Sequence, residues 1–378
     1  MNILCEVAQS LQVLVTYLIC RTYFEVKTAK MERKQEVLVV GMGAIGTMAA
    51  YAIQSGGQAK VTAVLRSNYE IVQEFGFTID SIDHGKDIRG WRPSTILRSI
   101  PDCRDGSKQY DYIVVSTKNT PDVAPSLIDL IEPVIKPEVT TIVLMQNGLN
   151  IEKPFRQRFP QNTILSGVHL MGASETSSGT IVHNEPDICK IGPFDNSDTN
   201  VLQERDVHIT RAKRFVEIYN ACGKVNCQFD ENVQFTRWHK LVYNSSYNSI
   251  SAILGMDVTR MRVYEHVIDD LVKPIMEEIM AIAGAAGVRL PEDLPMKFIT
   301  IDSPDSWFMP SMGQDAIKGN YLEFENIVGE PMREAQKLAV PCPTLTTVYG
   351  LLRGMQAKIK ESKGLLEPRV EDANKYRG

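Results

Sequence analysis

Glu36-Val37-Leu38-Val39-Val40-Gly41-Met42-Gly43-Ala44-Ile45-Gly46 is the stretch that decides the fold of this chain. Its first five residues form an apolar, β-branched run, the pattern of a parallel strand buried on both faces. After GMGAIG, Thr47 to Gln54 reads as a helix and, beyond Ser55-Gly56-Gly57, Val61 to Leu65 reads as a second strand. Strand, glycine turn, helix and strand in that order make a βαβ unit, which commits the sheet to parallel strands. Gly41 permits the tight turn, Gly43 lets backbone approach a pyrophosphate, and Gly46 allows close helix-strand packing. Ala44 and Ile45 open the helix, whose free N–H groups and positive end favour an anion. A lone G-x-G-x-x-G is weak evidence; its place between a strand and a helix makes a dinucleotide site the expectation.

The end of the second strand bears on which dinucleotide. An NAD site usually carries Asp or Glu there to hold the ribose 2′-hydroxyl. This chain instead reads Val64-Leu65-Arg66-Ser67-Asn68. The Arg66 guanidinium donates two parallel N–H bonds and suits the 2′-phosphate of NADPH, whereas a carboxylate would repel it. The bland alternative is a solvated surface charge.

Further strands are predicted at Tyr112 to Ser116 and Thr141 to Met145, each ending in polar residues where an open α/β sheet presents its ligand crevice. Gly76 to Gly106 reads as a hairpin excursion, and Thr163 to Ile191 as short strands of an antiparallel appendage. Arg211 to Cys222 reads as a helix. After Asp230 strand-like runs vanish and amphipathic stretches take over at Val233 to Leu254, Val263 to Ala286 and Leu322 to Leu338. The expected organisation is a leader over 1–34, poorly ordered, an NADP-binding Rossmann-like domain over 35–230, a helical substrate and catalytic domain over 231–360, and a flexible tail over 361–378.

Composition narrows the partners. The net charge of −5 supplies no electrostatic footprint for nucleic acid or an anionic membrane. Seven cysteines, without a CxxC pair or His at ligand spacing, read as reduced thiols, and no metal is expected. The apolar run over residues 3–20 is broken by Glu6, Gln9, Ser10 and Gln12 and lacks a basic stretch before it, so a signal or transmembrane helix is disfavoured. A membrane contact through 3–20 stays the minority reading. The expected compartment is the cytoplasm, with the mitochondrion as the alternative.

A third element carries the chemistry. Reducing a ketone builds negative charge on its oxygen, so the site needs a positioned proton donor or cation. On a helix, Lys240, Asn244 and Asn248 fall at i, i+4 and i+8, lining an ammonium and two amides along one face. Read alone, such a face could equally be solvated.

GMGAIG, Ser116-Thr117-Lys118, Gln146-Asn147-Gly148, Trp238-His239-Lys240 with Asn244 and Asn248, and Pro310-Ser311-Met312-Gly313-Gln314-Asp315 followed by Glu323 occur in this order. In that order and spacing the chain resembles the ketopantoate reductase (2-dehydropantoate 2-reductase) family, as a divergent, fungal-like member, over about residues 35 to 357. The resemblance implies an α/β Rossmann-like domain with a mostly parallel sheet followed by an all-α domain, the 6-phosphogluconate-dehydrogenase-like arrangement. It also implies NADPH-dependent reduction of ketopantoate to pantoate, in pantothenate biosynthesis. By the same resemblance Lys240 is the general acid, and Glu323 binds substrate and helps orient that lysine. Asn244, Asn248 and Ser311 bind substrate, Lys118 contacts the nicotinamide half of the cofactor, and Asn147 bridges cofactor and substrate. A carboxylate near Lys240 would keep it protonated, and Glu323 is preferred to Glu325 because the two point to different faces.

The long segment Asp302-Ser303-Pro304-Asp305-Ser306-Trp307-Phe308 departs from the compact bacterial pattern and leaves the substrate open. The alternatives are a same-fold reductase of a different ketoacid and a non-catalytic NADPH-sensing regulator. The partner expected is a small-molecule 2-oxo acid, with a homodimer as an open option.

Overall fold

The structure, a computed structural model, describes residues 33–194 and 202–369. The proposed leader, including 3–20, lies outside the described residues apart from 33 and 34, as does the tail from 370. Twelve strands occur in chain order: β1 (Gln35–Val40), β2 (Ala59–Val64), β3 (Phe77–Ser81), β4 (Gly85–Trp91), β5 (Thr95–Leu97), β6 (Tyr112–Val115), β7 (Thr141–Leu144), β8 (Ile164–Leu170), β9 (Ala173–Ser177), β10 (Thr180–His183), β11 (Ile188–Pro193) and β12 (Asn226–Phe229).

The main sheet runs β12-β11-β8-β7-β6-β1-β2-β5. Parallel pairing joins β1 to β6, β6 to β7, β7 to β8, and β2 to β5, while β8 and β11 are antiparallel. Strands covered on both faces explain the unbroken apolar runs. Val37 and Val39 join Val114, Val143, Met48 and Ile53 in one core, while Leu38 and Val40 join Ile113, Ile142, Leu144 and Phe155 in another. Each such side chain, removed from water, contributes about 1.5–3 kcal/mol.

Strand order reverses at β1, with β2 on one side and β6 on the other. Ligands of open α/β sheets bind at such a switch point, beyond the carboxyl ends of the strands. The glycine turn follows β1, and Ser116-Thr117-Lys118 follows β6.

The segment 76–106 divides in two. β3 and β4 form the expected hairpin, but β5 returns to the main sheet beside β2. The hairpin then joins β9 and β10 in a separate sheet of order β4-β3-β10-β9, with β3 and β10 parallel. The expected appendage over 163–191 is divided in the same way, because β8 continues the parallel main sheet and only β11 runs antiparallel to it.

Beyond β12 every described element is helical. Trp238, Leu241, Val242, Ile250, Ile275, Ile279 and Leu345 are buried in a core of their own, as the amphipathic patterns required. The three long stretches are not uniform α-helices. Each contains a π-helical turn, at Asn244–Asn248, Ile268–Val272 and Glu325–Gly329. The last helix runs from Pro343 to Ser362, slightly past the expected start of the tail. No helix among the described residues is long and apolar enough to cross a membrane.

The glycine turn gives a stability prediction. A Cβ on Gly46 would collide with the Gly41 carbonyl oxygen and Ser116 Oγ, whereas one on Gly43 would meet open space. Gly46→Ala should cost about 1–3 kcal/mol by overpacking. Gly43→Ala should stay within about 0.5 kcal/mol of the parent while weakening dinucleotide binding. Urea unfolding with and without cofactor separates the two.

Candidate active site

The turn is shaped before any ligand arrives. Gly41 has φ +99°, a conformation that disfavours a side chain, and a Cβ there would press on the Thr117 backbone. Ser116 Oγ donates to the Gly41 carbonyl at 2.6 Å, tying the loops after β1 and β6 together at the switch point. The helix Ala44–Ser55 begins with no acidic residue in its first turn, and the space beside Gly43 is open. A cradle with free N–H groups and no Cβ in the way fits a dinucleotide pyrophosphate. Arg66 is exposed just past the end of β2, with no ion-pair partner among the described residues. Asn68 is buried, and its amide donates to the Met42 carbonyl at 3.0 Å and to Glu175 Oε1 at 3.1 Å. It therefore braces the turn rather than facing outward.

Contacts run from the turn to Lys240. Gln146 donates to the Thr117 carbonyl at 2.8 Å, and the next residue, Asn147, accepts from Lys240 Nζ at 2.9 Å. Nζ also donates to the His169 carbonyl at 2.5 Å. Lys240 retains some exposure as a residue, but its amine end is surrounded by protein. Burial first, and the Arg237 charge second, lower its pKa to about 8, against the opposing pull of Glu323. The carboxylate expected to hold Lys240 protonated is thus outweighed by desolvation, which disfavours the charged amine.

The polar stripe is present, with a change of pitch. The Asn244 N–H bonds to the Lys240 carbonyl, an ordinary α turn, and the π turn then begins. Asn244 and Asn248 are buried, and Asn248 Nδ2 lies 3.3 Å from both Asn244 Oδ1 and Ser311 Oγ. Asn244 and Asn248 thus follow Lys240 along its helix, and Ser311 reaches Asn248 from the start of a neighbouring helix. Burial of Asn244 also removes it as an acceptor for the glycosylation sequon it begins.

Two bridges join the β6 loop to the helices. Lys118 Nζ pairs with the buried Asp315. Glu323 Oε1 accepts from the Asn119 backbone N–H at 2.8 Å, and burial raises its pKa despite the nearby Lys118. Glu325 turns elsewhere, onto Arg333 at 2.9 Å and the Tyr349 hydroxyl at 3.0 Å. The two glutamates thus meet different neighbours, Glu323 the loop after β6 and Glu325 the helices. The His239 ring instead packs edge-on against Phe298, 5.1 Å between centroids.

Two residues escaped the sequence reading. His169 holds the amine by its carbonyl, while its ring is buried and kept neutral, with a pKa lowered to about 3 by burial and then by Lys240. Arg237 is buried against Glu152, at 2.5 Å. On an amphipathic helix it reads as a solvated charge; its spacing of three from Lys240, which places both on one side, was the available signal.

A turn open to a pyrophosphate and an amine kept from water a few contacts away belong together in dinucleotide-dependent oxidoreductases. The comparisons agree. The family model for ketopantoate reductase PanE/ApbA matches residues 37–196, and that for the C-terminal part of the same family matches 232–356. "Uncharacterized protein YDL144C" of Saccharomyces cerevisiae is 36% identical over 351 residues, covering 88% of this chain and 96% of that one. A 2-dehydropantoate 2-reductase of Nostoc is 26% identical over 328 residues, covering 86% and 96%. The crystal structure of 2-dehydropantoate 2-reductase from Methylococcus capsulatus superimposes with a TM-score of 0.70 at 27% identity, over 86% of this chain and 97% of that one. The chain belongs to the ketopantoate reductase family. It is an NAD(P)H-dependent oxidoreductase of the class that interconverts a ketone and a CH–OH group.

The displaced pKa is directly measurable. In NMR titrations of labelled lysines, Nζ of Lys240 should titrate at about 8, while exposed lysines stay near ~10.4. A Lys240 midpoint above ~10 would contradict the burial of its amine.

Proposed function

We propose that this protein reduces a 2-oxo acid with NADPH, ketopantoate being the leading substrate and pantoate the product. The observation that carries the reading is the Lys240 ammonium, held by Asn147 Oδ1 at 2.9 Å and the His169 carbonyl at 2.5 Å and linked through Gln146 and Thr117 to the nucleotide turn. Both partners are neutral acceptors, so Nζ keeps a proton to give.

In this reading Gly41, Gly43, Ala44, Ile45 and Gly46 form the pyrophosphate cradle, Arg66 takes the 2′-phosphate, and Lys118 and Asn147 meet the nicotinamide half. Bound there, reduced nicotinamide supplies a hydride to C2 of the oxo acid. Lys240 polarises the ketone oxygen and gives it a proton as negative charge develops, so the ketone becomes a hydroxyl and the amine is left neutral. Asn244, Asn248 and Ser311 offer amide and hydroxyl donors to the oxygens of the acid. Glu323, held by the Asn119 backbone N–H, orients substrate and lysine. A lysine with pKa about 8 is a better acid than one near ~10.4, because the driving force for proton transfer is larger while most of it stays protonated at neutral pH.

The two-domain division near Asp230 belongs to this reading, the cleft lying between the strand ends and the helices. The family models, one ending at 196 and the other beginning at 232, support it. We assign the protein to the cytoplasm, supported by the free thiols of Cys103, Cys189, Cys222, Cys227 and Cys342. A homodimer rests on the family resemblance alone.

Three outcomes test the proposal. Lys240→Ala should lower kcat by roughly 10²–10⁴ with NADPH affinity nearly unchanged; steady-state kinetics with ketopantoate decide it, and intact turnover would remove Lys240 from the mechanism. Since the acid must be protonated, kcat should hold on the neutral side and fall as pH rises through about 8. Arg66→Ala should weaken NADPH roughly 10- to 100-fold by losing charge-assisted bonds, and NADH far less; equal losses would sink the 2′-phosphate assignment.

A further inference from the structure

One turn before Lys240 the same helix carries a second cation to which the proposed chemistry gives no task. Arg237 is 7% exposed, and its guanidinium is spent on two interior strands of the sheet, β7 and β8, and the loop after β7. Nε donates to Ser166 Oγ at 2.5 Å, Nη1 to the Gln146 and Gly148 carbonyls at 3.0 Å each, and Nη2 to the Leu144 and Gly167 carbonyls at 3.4 and 3.3 Å. Glu152 closes the set, pairing with Nε at 2.5 Å and accepting from Ser166 Oγ at 2.6 Å.

The placement of those acceptors is informative. Gln146 and Gly148 flank Asn147, one of the two groups that hold Lys240 Nζ. Gly167 lies two residues before His169, the other. A single side chain is thus bonded to both segments that receive the amine, and it leaves from the helix that delivers it.

We propose that Arg237 is a positioning residue, which fixes the register of its helix on the end of β7 and the middle of β8 so that Lys240 Nζ lands between Asn147 Oδ1 and the His169 carbonyl. The inference rests on the reading of Lys240 as the acid. Five donors in one rigid plane can clamp several carbonyls at once; lysine would carry the charge without the geometry. Arg237 has a second effect through its charge, which stands after burial among the causes that make Lys240 give up its proton more readily. The other groups facing the amine are Glu323 and Cys189, which pull the opposite way, and His169, whose ring is neutral.

Two variants of the full chain separate geometry from charge. Arg237→Lys keeps a cation and loses the fork. The double variant Arg237→Met with Glu152→Leu removes both buried charges together, so neither is left unpaired, and replacements of this kind usually fold. With ketopantoate and NADPH, kcat should fall about ten-fold or more in both, while NADPH affinity stays within about two-fold of the parent. The basic limb of the kcat–pH profile should move to higher pH in the double variant, where the cation is gone, and stay near its parent position in Arg237→Lys.

A folded variant that keeps both parental kcat and an unmoved basic limb overturns the proposal. Lys240→Ala, assayed beside them, separates the two failures. Lost turnover there with unaffected Arg237 variants removes only the positioning role; retained turnover removes the acid, and the positioning role with it.

Discussion

A primary amine kept from water at the junction of sheet and helices is the constraint around which this molecule is built. Desolvating an ammonium is costly, and the cost is bearable only with close acceptors and neighbouring charge. Lys240 has both, in Asn147, the His169 carbonyl and Glu323. Each stands on a different element, so the amine keeps its place only while the strand ends, the β6 loop and the helices keep theirs. Removing one partner of the Arg237–Glu152 pair beneath would leave a buried charge uncompensated, a change that typically costs about 3–5 kcal/mol.

The nucleotide turn is held by packing rather than by charge. Gly41 and Gly46 lack side chains because backbone and Ser116 occupy the space, while Gly43 lacks one where the space is empty. Three glycines of one motif therefore serve different ends. The hydroxyl of Ser116 and the amide of Asn68 brace the same turn from either side. On the opposite wall, the Lys118–Asp315 pair and the Glu323–Asn119 bond draw the β6 loop toward the helices.

Much of this was legible in the sequence, for reasons that differ by element. β1, β6 and β7 each carry a run of three or four apolar residues buried on both faces, Val37 to Val40, Tyr112 to Val115 and Ile142 to Leu144, and GMGAIG stands where a strand must turn into a helix. The stripe of Lys240, Asn244 and Asn248 was legible because helical spacing survives a local change of pitch. The π turn itself was not: it shifts backbone hydrogen bonds by one residue and leaves no mark in side-chain chemistry. The separate sheet was hidden because β3 pairs with β10 about a hundred residues away, a partnership that local pattern does not encode. Arg237 was hidden because charge on an amphipathic helix ordinarily faces solvent.

The central claim is a distance, and a crystal structure of the protein with NADP⁺ and a non-reducible analogue of the oxo acid measures it most directly. The account predicts Lys240 Nζ within hydrogen-bonding reach, about 2.7–3.2 Å, of the oxygen on C2, with C2 facing the nicotinamide ring. An analogue bound beside the ring, its C2 oxygen met by another side chain and Nζ still turned to Asn147 and His169, would contradict it.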